Sequence, residues 1–197
     1  MPIDTGAVPP VAIAAVEQAM KARLAHSAFT TSNLRQVTSG ALHRSFPHRV
    51  AYLSLDQVRR GRDLREATQP AGWRFLIQDG DKVIAAARVV EDGAAAYRLG
   101  EFSEGAFVTG TEQVVRFAER EEVVQNGHFE PVLLMAPEIF VIALWLQNLG
   151  GGVDYILTVP TAAAAAGDKP PAVRTGDAFI AEMRSLAESM SRSQRSL

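Results

Sequence analysis

The sequence predicts an α+β fold: an antiparallel or mixed sheet of five or six strands with a central three-strand meander, covered by one buried helix and by amphipathic helices near both chain ends. Three observations carry that prediction. Asp79-Gly80 and Asp92-Gly93 punctuate three strand-like runs, and Asp-Gly is a preferred two-residue hairpin loop because both positions take positive φ. The segment Pro131 to Pro160 is almost continuously apolar, as an interior wall would be. Strand-like and helix-like segments do not alternate strictly, which argues against a doubly wound parallel sheet.

Residues 1–9 read as a flexible start. Ile13, Val16, Met20 and Leu24 recur at spacings of three and four with Glu17, Lys21 and Arg23 between them, which predicts an amphipathic helix over Pro10–Ala25. Phe29 to Pro47 has no strong period and reads as irregular, with room for a short helix. Arg49–Leu53 is a strand candidate. Ser54 and Gln57 form a capping-box pattern that opens a short helix ending at Gly61. Trp73–Gln78, Asp81–Val90 and Ala95–Glu101 then make the meander, with Trp73, Phe75 and Ile77 on one face.

Thr109 and Glu112 repeat the capping-box pattern and predict a helix through Val114, Val115 and Ala118. Pro131–Ala136 reads as a buried strand. Pro137–Leu146 lacks any polar stripe, so it is expected to be a helix buried all round, with Pro137 at its first position and Glu138 at the positive end of its dipole. Its apolar run of about ten residues is half the roughly 20 that a membrane span needs. Gly150, Gly151 and Gly152 stop it, and Val153–Val159 follows as a strand.

Residues 161–176 are rich in Ala, Pro and Gly and read as a linker, where Ala162–Ala166 offers a helical turn or two before Pro170 and Pro171 end it. Asp177 caps a last helix over 177–190 with Phe179, Met183, Leu186 and Met190 on its apolar face, and 191–197 is a fraying tail. Residues 10–160 are thus read as a single domain.

Composition fits this picture. A 197-residue chain with 47% hydrophobic and 21% charged residues can bury roughly 70% of its unfolded surface. The chain has no cysteine, which excludes disulfides, thiolate catalysis and cysteine-ligated zinc or iron–sulfur centres. The N-terminal residues do not resemble a secretory signal, so the expected location is cytoplasmic. The net charge of −2 is distributed unevenly: Arg35 to Arg65 holds seven Arg against two Asp, while Glu91 to Glu138 holds ten acids against three Arg. Separated charge of this kind marks either a partner surface or segments that neutralise each other in the fold.

Catalytic signatures are thin. His26, His43, His48 and His128 form no metal-ligand spacing, and His43 and His48 read as surface or turn histidines. His128 and Glu130 are alternate residues of a strand, an arrangement in which a carboxylate can orient an imidazole; the preceding Asn126-Gly127 places them at an exposed strand mouth. No Gly-x-Ser-x-Gly elbow occurs, and the triple glycine follows an expected helix instead of opening one, so it is no phosphate cradle. Trp73, Phe75, Trp145 and Tyr155 are candidates for lining a cavity between sheet and helix, or for plain packing.

Accordingly no catalytic, cofactor or metal residue is assigned and no cofactor is expected. The leading expectation is a non-catalytic protein–protein interaction protein, an accessory, adaptor or inhibitor subunit, that meets a protein partner or a second copy of itself. Its candidate surface is Arg59, Arg60, Arg62 and Arg65. The alternative is a small-molecule-binding domain or an enzyme with an unfamiliar site near His128, Glu130 and Glu138. Nucleic-acid binding through the same arginines is a weaker alternative, because the stretch has no aromatic interleaving and Asp63 dilutes it.

Overall fold

The computed structural model describes residues 3–26, 28–37, 42–61, 63–93, 96–160 and 171–195. Its strands are β1 (Leu42–Leu53), β2 (Thr68–Asp79), β3 (Lys82–Glu91), β4 (Tyr97–Ser103), β5 (Phe129–Ala136), β6 (Val141–Asn148), β7 (Tyr155–Thr158) and β8 (Val173–Thr175). They form one mixed sheet in the order β4-β3-β2-β1-β5-β6-β7-β8. All neighbours are antiparallel except β1 and β5, which run parallel. The sheet is therefore two four-stranded meanders joined along one parallel seam. The predicted meander is present as β2-β3-β4, but it fills one side of the sheet with β4 at an edge and is not central.

The helices are α1 (Pro10–Ala25), α2 (Ser32–Gln36), α3 (Leu55–Arg60), α4 (Ala106–Ala118), α5 (Glu122–Gln125) and α6 (Gly176–Arg195). Register assigns every sheet residue to a face, because paired residues share one and successive residues alternate. On the first face Trp73, Phe75, Ile77, Ala87 and Val89 pack under Ala12, Val16 and Met20 of α1. Further along that face Ala51, Leu53, Val132, Leu134, Ala143, Trp145 and Ile156 pack under Val58 of α3 and Phe179, Ile180 and Met183 of α6. On the second face Val50, Leu133, Leu144, Leu146 and Leu157 pack under Val114, Val115 and Ala118 of α4.

This two-sided cover corrects the largest sequence expectation. The sheet has eight strands, not five or six, and the buried helix predicted over 137–146 is one 3-10 turn, Pro137–Ile139, followed by strand β6. A segment apolar all round is buried all round, but so is an inner strand covered on both faces. In β6 Ala143 and Trp145 face α3 and α6, while Leu144 and Leu146 face α4. The β-branched Val141 and Ile142 favour the extended form. The other additional strand, β8, lies inside the stretch read as linker, of which residues 161–170 fall outside the described residues.

Helix starts also differ from the capping patterns. Ser54 makes no side-chain cap to α3; the Leu55 amide donates to Glu138 Oε2 at 2.8 Å instead. α4 begins at Ala106, so Thr109 is inside it, with its hydroxyl on the Ala106 carbonyl at 3.2 Å. At α6 the cap is Thr175, whose Oγ1 accepts from the Ala178 amide at 3.2 Å, not Asp177. The buried stripe of α6 is Phe179, Ile180, Met183 and Ala187, and Leu186 lies off it. At the start of the chain Ile3 is buried and bridges Phe129 in parallel, which ties down a stretch expected to be flexible.

Candidate functional site

Two of the four arginines of the predicted surface, Arg59 and Arg65, make hydrogen bonds within the fold. Arg59 Nη1 donates to Asp56 at 2.6 Å, and Nη2 donates to the Ala187 carbonyl at 2.8 Å and to the Ser191 hydroxyl. Arg184 answers from α6, donating to the carbonyls of Val58 and Gly61 at the end of α3. These bonds clasp α3 to α6. Arg65 lies over the Trp145 ring, 5.9 Å from its centroid, and donates to Asp154 Oδ1 at 3.1 Å. Arg60 is exposed. Arg62 lies outside the described residues.

His128, Glu130 and Glu138 do not converge. His128 Nε2 is 3.4 Å from Asp4 Oδ2 at an exposed position. Glu130 accepts from Arg49 Nη2 at 2.6 Å, and Arg49 also holds Gln147 Oε1 at 2.8 Å. Glu138 caps α3 from the turn beyond the far end of β5, and the strand between Glu130 and Ala136 alone spans about 20 Å at the usual rise per residue. His43 is partnered on β1, and His48 is not a surface histidine: it is fully buried.

His48 is the buried end of a polar row on the second face that runs out to the exposed Glu101. It pairs in register with Arg74, which pairs with Arg88, which pairs with Glu101. The Phe46 carbonyl, 2.8 Å from His48 Nδ1, can only accept, so Nδ1 carries the proton. Burial first, and then the Arg74 guanidinium, push the imidazole down to about 3. Burial likewise brings Arg74 down to about 10, an effect Glu101 partly opposes. Arg74 donates to Thr111 Oγ1 at 3.1 Å and lies over the Phe107 ring, 4.7 Å from its centroid. The row joins α4 to the sheet.

Two features stand out at the surface. The first is Phe140, at the tip of the β5–β6 hairpin: it is 89% exposed and held at φ +55. A bulky side chain in the left-handed region is a true outlier, at a cost of order 1–2 kcal/mol. Its neighbours Ile139 and Val141 pack on the core while the ring itself stands out. Two residues away Glu138 is bonded to the first residue of α3, and Arg60 closes that same short helix.

The second is a recess on the first face. Trp73, Arg49, Val132 and Trp145 form one register row across β2, β1, β5 and β6. Above this row lies a groove of about 420 Å³, whose floor includes Ala51 and Gln147 and whose rim includes Thr68, Glu91 and Tyr97. Trp73 and Trp145 are buried core side chains that also border it; Phe75 is fully buried under α1, and Tyr155 packs edge-on against Phe129 on the other face. Trp145 Nε1 donates to Asp154 Oδ2 at 3.0 Å, and the Tyr97 hydroxyl donates to Glu91 at 3.1 Å.

Among the described residues no group of three His, Asp or Glu side chains is placed to hold a metal ion, and no helix is long and apolar enough to cross a membrane. Comparison with known proteins gave no matching family model, curated protein or solved structure. The class the fold defines is an α+β protein built on a mixed eight-stranded sheet.

Proposed function

We propose that this chain is a non-catalytic protein–protein interaction protein, an accessory, adaptor or inhibitor subunit, that docks on its partner through the Phe140 hairpin tip. The observation that carries the reading is the combination at Phe140 of 89% exposure with a backbone conformation that disfavours its own side chain. A phenyl ring that packs on nothing in its own fold, and strains the chain where it sits, has its use outside the fold. An exposed aromatic anchor is also a common kind of interface hot spot. Of the predicted arginine surface, Arg60 is exposed at the last residue of α3. The sheet edges are poor alternatives: β8 has three residues, and β4 carries Arg98 and Glu101, both features that discourage strand addition.

The test exploits the strain. Phe140→Gly removes the ring and relieves the left-handed position, so the fold should be equally stable or up to about 1 kcal/mol more stable. In capture from the native lysate, wild-type protein should retain one stoichiometric protein, and Phe140→Gly should lose most of it. Equal retention by the two proteins, or a Phe140→Gly protein markedly less stable than wild type, would overturn the reading.

A further inference from the structure

We propose that the recess at the β1–β5 seam binds a small organic carboxylate, its acid group on the Arg49 guanidinium and its apolar body over Ala51 and Val132. The site is separate from the Phe140 tip and does not depend on that reading. Its volume of about 420 Å³ lies in the range of small-ligand pockets, roughly 300–1,000 Å³.

Charge selects the ligand class. Two guanidinium groups, Arg49 and Arg65, line the recess against one carboxylate, Glu91. The acids that hold these arginines, Glu130 and Asp154, are not among the lining residues; they grip each guanidinium from outside and fix its direction. Arg49 spends Nη2 on Glu130 and Gln147, and although its Nε is shielded from solvent, its side chain is 38% exposed and lines the recess. A guanidinium that reaches a recess is complemented most strongly by a carboxylate, through charge-assisted hydrogen bonds. Ala51 and Val132 keep the centre of the floor small and apolar, and the Trp73 and Trp145 side chains flank it. With Trp145 tied to Asp154 and Tyr97 to Glu91, these groups are ordered before any ligand arrives, which lowers the entropic cost of binding.

Cyclohexanecarboxylate is a suitable probe, since it is optically transparent and the protein's only two tryptophans line the recess. Titration should give a saturable change in tryptophan emission; cyclohexanecarboxamide and cyclohexylmethylammonium should bind at least about tenfold more weakly. Arg49→Gln should weaken the carboxylate by a similar factor. Because that change also strips Glu130 of its partner, Thr68→Phe, which narrows the mouth and leaves the Arg49 contacts intact, should abolish the response as well. No saturable response, indifference to the charge of the probe, or unchanged affinity in a folded Arg49→Gln or Thr68→Phe variant would overturn the assignment.

Discussion

His48 is a neutral imidazole in a place where protonation cannot be accommodated, and its effect on stability has a definite sign. Its folded value of about 3 lies below the ordinary 6.5, so between those limits the unfolded chain binds a proton that the folded chain refuses. Stability contributed by this residue is complete above the unfolded value and drains away as pH falls toward the folded one, at up to about 1.4 kcal/mol per pH unit. We expect the urea midpoint to drop between about pH 6.5 and pH 4, and His48→Gln to flatten that dependence. An identical slope in the variant would show that other groups carry it. Phe46, at φ +40, holds the bulge from which His48 points inward. This row was hard to read from the chain: Phe46-Pro-His looks like a turn, and only Arg74, a lone charge in the otherwise apolar run Trp73–Ile77, hinted at a buried polar group.

Among the elements, α4 is the one that the polar row and the second face both depend on. Gly110 sits in its interior, where alanine would normally favour a helix by about 1 kcal/mol. A Cβ there would fall 2.7 Å from the Pro160 carbonyl oxygen and 3.2 Å from Val159 Cγ1. Gly110→Ala should therefore destabilise the protein, by about 1–3 kcal/mol, and thermal melting checks the sign; a stabilised variant would mean that α4 sits further from the sheet. Local patterns gave several elements directly. The three- and four-residue rhythm of Ile13, Val16, Met20 and Leu24 placed α1 at the observed bounds, and Asp79-Gly80 placed the β2–β3 turn within a residue. They failed where an apolar run carries no period. Pro137-Glu138 satisfies both a helix start and a tight hairpin turn, and only the cover on both sheet faces, which is tertiary information, decides for the turn. Capping boxes misled for a similar reason, since Glu138 reached Leu55 from 83 positions away.

At the scale of the molecule, the sheet and the helices on its two faces account for nearly all large apolar groups, and the arginine-rich stretch turns out to be partly internal wiring between α3, α6 and the Asp154 node. Sequence alone does not reveal which arginines are engaged in this way, because Arg59 meets Ala187 and Arg65 meets Asp154 only after the chain has folded back. Nor does it single out Phe140, which looks like one apolar residue among many until its backbone and exposure are known. Phe140 is the most exposed of the large apolar side chains among the described residues, and meeting a partner is the role proposed for the hairpin tip that carries it. Replacing Phe140 by a photoreactive benzoylphenylalanine and irradiating the protein in its native lysate tests this most directly. A single cross-linked protein species at this position, absent when the same residue replaces the exposed Val123, is the predicted result; no adduct, or the same adducts from both positions, would contradict it.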